Sequence, residues 1–318
     1  MDRPCNKRFE VIHLVSLVTQ IKFPAMGNTA DISVIGDTYL LDVARRHIDD
    51  LENKWSRFLA SSDISRLNHS TGAPIRVSPE TISLVQYLIS AQGTTRGAFD
   101  PTLLPVLIDL GYQTSFTQPE HVSTFASHPN WSLPMSSIHI EAHNNSISMP
   151  AGMTLDPGGL GKGLAADLVA QHLMDLGAGG VCISLGGDIR CMGQSPTGDA
   201  WTLPIETPQG TVDQNATFST GAIATSSVHA KSWWHHSGEK HHVIDPQTKQ
   251  PLSTTGIHAV QSTAIANEAV WAEVFSTAVL VQGAAIAFPL CDAHNIAAQI
   301  IFSNGTRSEN SLWKEYVQ

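Results

Sequence analysis

The sequence predicts an α+β or mixed α/β chain, and three observations carry that. Long segments show helical 3–4 spacing of apolar residues. Short apolar runs of strand length lie between them, set off by polar, turn-rich stretches. The 318 residues are 42% hydrophobic and 14% charged, enough to build a sizeable core. Periodicity alone does not choose between the two classes.

Taken in order, residues 32–35 read as a strand following Met26-Gly27-Asn28. Residues 39–58 read as a helix, because Leu41, Ala44, Ile48, Leu51 and Trp55 recur on one face. Residues 79–92 read as a second helix. The stretch 114–150 is polar, with strands expected at 138–140 and 146–149. Asp156 is expected to cap a helix that Pro157 opens, that runs to about Leu176 and that Gly177 stops. Residues 181–185 read as a buried strand ending in Gly186-Gly187-Asp188. A last long helix is expected from near Asn267 to Gly283.

Composition narrows the function. The formal net charge is −10 and no basic stripe is present, which argues against nucleic acid as a partner. No run of about 18 apolar residues offers a membrane span, so no membrane span is expected. The apolar stretch 11–18 contains His13 and Ser16 and lacks the form of a signal peptide, so a soluble, cytoplasmic protein is expected. Cys5, Cys182, Cys191 and Cys291 form no C-x-x-C pair and read as reduced, structural thiols.

Four constellations carry possible chemistry. Asp156-Pro157-Gly158-Gly159-Leu160-Gly161-Lys162-Gly163 combines glycines at a helix start with a mobile cation, a combination that favours phosphate. It matches neither Walker A nor the dinucleotide fingerprint. Glu273 and Thr277 are four apart, so a helix projects both from one face. With a nearby backbone carbonyl they make a hard-oxygen set suited to Mg²⁺. His241-His242-Val243-Ile244-Asp245-Pro246 offers a histidine able to act as a base near neutrality. In Ala98-Phe99-Asp100-Pro101, Phe99 can pack on a ring and Asp100 can accept from a ribose or base donor. Alone, each pattern also suits an ordinary capped helix, helical face or turn. His235 and His236 beside His241 and His242 invite a metal reading that no cysteine partner supports.

The order of these groups resembles the ApbE family of FAD:protein FMN transferases. That family shows M-G-T, then F-S-x-Y-x-x-D-S-E-I-S-x-L-N and A-F-D-P. A D-x-G-G-x-x-K-G-x-x-x-D helix, G-G-D, H-x-I-D-P-x-T-G and a late A-D-x-x-x-T helix follow. This chain carries Met26-Gly27-Asn28, Trp55-Ser56-Arg57-Phe58, Ser62-Asp63-Ile64-Ser65-Arg66-Leu67-Asn68, Ala98-Phe99-Asp100-Pro101 and Asp156 through Asp167. It continues with Gly186-Gly187-Asp188, His242 through Thr248, and Ala272-Glu273 to Thr277.

The resemblance implies an α+β fold of mixed, largely antiparallel sheets with flanking helices, in two closely packed lobes with FAD between them. It implies a family domain over 23–310, an extension over 1–22 and a tail over 311–318. It places Met26, Phe58, Ala98, Phe99, Asp100, Asp156, Lys162 and Ile244 on FAD. It places the Gly159 carbonyl, Glu273 and Thr277 on Mg²⁺, and His242 as the base. The implied reaction is Mg²⁺-dependent transfer of FMN from FAD to a Thr or Ser hydroxyl of a target flavoprotein, releasing AMP. The same residues would serve an FAD pyrophosphatase or a non-catalytic FAD-binding protein. The chain departs from the pattern at Asn28, at Phe58 for tyrosine, at Glu273 for aspartate and at Lys249 for glycine. The family's T-S-G-D-Y is Thr225-Ser226-Ser227-Val228-His229 here.

Overall fold

A computed structural model describes residues 18–115, 118–125, 133–198, 200–236 and 238–317. Cys5 and most of the apolar stretch 11–18 lie outside the described residues. The chain opens with β1 (Val18–Ala25), β2 (Asn28–Ile35), α1 (Tyr39–Trp55), α2 (Asp63–Asn68), β3 (Ile75–Arg76), α3 (Pro79–Thr94) and α4 (Leu104–Asp109). Next come β4 (His139–Glu141), β5 (Ser146–Ser148), α5 (Gly161–Asp175), β6 (Gly180–Leu185), β7 (Asp188–Gly193), β8 (Trp201–Glu206), β9 (Val212–Phe218) and β10 (Gly221–Ser227). It closes with β11 (Ser232–His235), β12 (Gly238–His241), β13 (Ile244–Asp245), β14 (Gln250–Pro251), β15 (Ala259–Ala266), α6 (Ala269–Gln282), α7 (Ala284–Ala293), β16 (Ala297–Phe302), β17 (Arg307–Glu309) and α8 (Trp313–Tyr316).

Eight strands form one sheet in the order β1-β2-β6-β7-β10-β15-β16-β17. Every pairing in it is antiparallel. This resolves the class left open by periodicity: the fold is α+β with antiparallel sheets. Both faces of the sheet are covered, and the strands show it by alternation. Ala222, Ala224, Ala264 and Ala266 point into the main core with α1, α5 and α6. Ile223 and Ile265 point the other way, onto Trp201, Leu203 and Phe218 of the β8–β9 hairpin and onto Trp313. Alanines on the helix side let α6 lie close to the sheet.

Several boundaries differ from expectation for definite reasons. The first helix stops at Trp55, because Ser56 is extended (ψ 117°), and residues 56–58 turn toward the later cleft. Asp156 does not cap a helix. The helix begins at Gly161, and the carboxylate of Asp156 is taken by the Gly158 N–H at 2.9 Å and by Arg57 at 3.3 Å. The last long helix starts at Ala269, where Asp167 accepts from the N–H groups of Ala269 (2.9 Å) and Val270 (2.8 Å). β1 begins at Val18, inside the stretch set apart as an extension. Trp313, in the stretch set apart as a tail, is buried.

Two features bring the site together. A Cβ on Gly163 would lie 2.4 Å from the Ala269 carbonyl, so only glycine lets the start of α5 abut the start of α6. Met26 (φ 51°) and Gly27 (φ 66°) form the two-residue turn joining β1 to β2, with Ala25 opposite Asn28. The Met26 N–H donates to Glu52 of α1 at 2.8 Å, pinning this turn beside the helix end.

Candidate active site

One cleft is lined by Met26, Phe58, Ala98, Phe99, Asp100, Asp156, Gly159, Lys162, His242, Ile244, Glu273 and Thr277. All the residues proposed from sequence therefore face one space, although they come from separate parts of the chain. The glycine turn 156–160 forms its floor. Leu160 and Gly161 donate to the Pro157 carbonyl at 3.0 and 2.7 Å, and Asp156 donates to the Pro101 carbonyl at 2.7 Å. That last bond ties the turn to Ala98-Phe99-Asp100-Pro101. A Cβ on Gly159 would press on the Phe99 ring at 3.0 Å, so the ring backs the turn closely.

Asp100 is committed locally. Its Oδ1 accepts from Gln92 Nε2 (3.2 Å), Thr102 N (2.9 Å) and Thr102 Oγ1 (2.7 Å). Ile244 is buried with Leu103, Val106 and Leu107, giving the cleft an apolar wall. Phe58 lies against Arg57, whose guanidinium stands 4.1 Å from the Phe58 ring centre and 4.5 Å from that of Tyr112. Arg57 also donates to Ser123 Oγ at 2.5 Å.

Lys162 and Glu273, 111 positions apart in sequence, form a short contact. Lys162 also meets Asp188 at 2.7 Å, so its ammonium lies between two buried carboxylates. The second oxygen of Glu273 accepts from the Gly163 N–H at 2.7 Å. Burial alone would lower the Lys162 ammonium, but Asp188 and Glu273 hold it above the usual lysine range. Burial lifts the Glu273 carboxyl, which Lys162 opposes. Thr277 Oγ1 lies 3.0 Å from Ser226 Oγ, and a Cβ on Gly159 would stand 3.8 Å from Thr277 Oγ1. The donor set is thus a carboxylate, a hydroxyl and the backbone at Gly159, with Asp188 close by. Hard oxygens with few carboxylates suit Mg²⁺, which keeps waters and takes phosphate oxygens. Both Glu273 oxygens are engaged, by Lys162 and by the Gly163 N–H, so an ion held here would share them. Among the described residues, no group of three His, Cys, Asp or Glu could hold a metal, so His235, His236, His241 and His242 make no such site.

His242 follows β12 directly. Its backbone N–H and its Nδ1 both meet the Lys231 carbonyl, at 3.3 and 3.2 Å. A carbonyl only accepts, so Nδ1 carries the proton and Nε2 is the free basic nitrogen of the neutral ring. Burial, then the neighbouring Lys231, pulls the imidazole down to about 4, so it is neutral across the physiological range.

The sequence reading did not single out Glu52, Arg57, Tyr112, Asp188 or Lys231 as cleft residues, yet all five line it. Arg57 and Asp188 sat inside motifs already quoted, so their neighbours gave a signal. Tyr112 and Lys231 lie in stretches with no pattern to mark them.

The model of the ApbE family matches residues 26–301. A FAD:protein FMN transferase of Vibrio cholerae serotype O1 is 26% identical over 93% of this chain and 89% of its own length. One of Chlamydia muridarum is 27% identical over 73% of this chain and 71% of its own. Among solved structures, the flavin transferase ApbE from Vibrio cholerae superposes with a TM-score of 0.77 at 24% identity, covering 94% of this chain and 99% of that one. The ApbE protein from Thermotoga maritima superposes with a TM-score of 0.81 at 21% identity, with the same coverage of each chain. These two likenesses establish the fold.

Proposed function

The chain belongs to the ApbE family, and from that premise we propose that it transfers FMN from FAD to a Thr or Ser hydroxyl of a target flavoprotein, releasing AMP. The observation that carries the reading is the convergence of the glycine turn, the Glu273–Lys162 pair and the free nitrogen of His242 on one cleft.

The dinucleotide's pyrophosphate lies on the turn 156–163, where glycines permit close approach; the N–H groups of Asp156, Gly158, Leu160, Gly161 and Gly163 are already taken within the protein. Phe58 offers a ring face and Ile244 an apolar wall, while Phe99 backs the glycine turn from behind. Gly159, Glu273 and Thr277 would hold Mg²⁺, which when bound neutralises phosphate charge and so assists departure of AMP. His242 Nε2 removes the proton of the incoming hydroxyl, and the Lys231 carbonyl keeps that nitrogen unprotonated and aimed. The walls formed by Leu103, Leu107 and Ile244 limit water around the reacting atoms. A cytoplasmic location belongs to the same proposal; recovery of the protein from another cell fraction would remove that part.

The test incubates the protein with FAD and Mg²⁺, with and without a flavoprotein subunit bearing an acceptor hydroxyl. AMP and acceptor-bound flavin on a denaturing gel are both followed. Fluorescence migrating with the denatured acceptor, matched by AMP, is the expected outcome. AMP released at the same rate without acceptor would make the chain a pyrophosphatase. FAD returned intact in both arms would make it a binding protein.

A further inference from the structure

Among the described residues, the lysines and arginines that line the cleft are Arg57, Lys162 and Lys231. Two of them are matched. Arg57 faces Asp156 at 3.3 Å and Ser123 at 2.5 Å. Lys162 lies between Asp188 and Glu273. Lys231 differs: among the described residues its ammonium has no hydrogen-bond or ion-pair partner, although the side chain is half-buried. A half-buried ammonium without a partner gives up hydration for nothing in return unless a ligand completes it.

We propose that Lys231 is a substrate-binding residue of this site: its ammonium engages the phosphates of the dinucleotide, while its carbonyl aims His242. The inference rests on the flavin-transfer reading and deepens it by assigning a residue to the phosphate. The geometry gives Lys231 two separable tasks. The carbonyl is backbone and holds His242 N and Nδ1 whatever the side chain is. A substitution at 231 changes only the side chain. The electrostatics agree. Burial, then Lys162, draws the free ammonium down to about 8, with Arg57 adding to the fall and Asp156 and Glu273 opposing it. An arriving pyrophosphate supplies the negative charge that this ammonium lacks. It also bears on how an acidic chain of formal charge −10 accommodates an anionic dinucleotide: among the described residues, one cation in the cleft forms no ion pair with a carboxylate.

The test is binding rather than turnover. Affinities for FAD and for riboflavin, which has the same ring system and no phosphate, are measured by flavin fluorescence in EDTA for the wild type, Lys231→Met and Lys231→Arg. Charge-assisted hydrogen bonds of this kind contribute enough that the expected loss for FAD in Lys231→Met is about tenfold or more. Riboflavin affinity is expected to stay within about twofold, and Lys231→Arg to recover most of the FAD affinity. Equal weakening of both flavins would make Lys231 a structural residue and overturn the proposal. Unchanged FAD affinity in Lys231→Met would overturn it too, and if the wild type still flavinylates its acceptor the transfer reading survives. A wild type that binds no FAD removes both.

Discussion

At the residue scale, the imidazole of His242 is the group whose chemistry the surroundings most alter. Burial and Lys231 hold its pKa at about 4, below the ordinary histidine value near 6.5. A base is useful only when deprotonated, so the transfer rate should fall through a limb near pH 4 to 5 as acid is added, not near 6.5. A rate profile with its acid limb at 6 to 7 would remove His242 as the base or its burial as the cause. The same shift acts on stability. The unfolded chain takes up the proton first, so His242 withdraws stability as pH falls from about 6.5 toward about 4. Lys249 makes a separate case. It occupies the left-handed region (φ 56°), in the turn where the family has glycine. Its N–H donates to the Asp245 carbonyl at 2.8 Å, so the turn is kept and the lysine bears the strain. Lys249→Gly should stabilise by no more than about 1 kcal/mol, the left-handed penalty less the extra freedom of glycine in the unfolded chain and less the side chain's own interactions. Chemical denaturation reads this directly, and a loss of stability would contradict it.

At the element scale, the junction of α5 and α6 explains why a glycine and an aspartate recur in the Lys162-Gly163…Asp167 stretch. Gly163 permits contact between the two helix starts, and Asp167 caps α6 through Ala269 and Val270 while meeting Arg190 at 3.1 Å. Asp167→Ala removes two N-terminal acceptors and leaves a buried guanidinium unpaired. It should cost about 3–5 kcal/mol, with Asp167→Asn intermediate because only its oxygen accepts. Thermal melts of the two variants decide this, and equal melting temperatures would rule the cap out. The junction also marks what the sequence made legible. Helices with a clean apolar face, such as α1, were readable because Ala44, Ile48, Leu51 and Trp55 fill a single stripe, although its buried first member is Leu40 and not the Leu41 read from the sequence. β15 was not, because a strand buried on both faces has Ala, Gln, Ser, Thr and Ile all inward somewhere, leaving neither alternation nor an apolar run. The cap on α6 was invisible for another reason: its donor and acceptor lie 102 positions apart. Motif order brought out the cleft residues that sit in contiguous patterns. It passed over Lys231 and Tyr112, which only the folding of the chain carries to the site.

At the scale of the whole molecule, the cleft joins parts of the sequence from Met26 to Thr277, so a ligand there braces most of the fold. A ligand that binds only the folded chain adds RT ln(1 + [L]/Kd), about 2.7 kcal/mol at one hundred times Kd. For a chain of this size that raises the melting temperature by roughly 5 °C. FAD alone should supply part of the rise. Mg²⁺ added with FAD should supply more, because Glu273 and Thr277 would hold the ion and it would neutralise phosphate charge. Glu273→Gln separates the two contributions better than truncation does. It keeps the side chain's volume and an oxygen to accept the Gly163 N–H, where alanine would leave that buried donor unmet beside Lys162. The variant should melt within about 1–2 kcal/mol of the wild type without ligand and retain an FAD shift. It should lose most of the further Mg²⁺ increment, since a neutral amide is a poor ligand for a hard dication. An undiminished Mg²⁺ increment in Glu273→Gln would place the ion elsewhere in the cleft, with Asp188 the nearest remaining carboxylate to supply its charge.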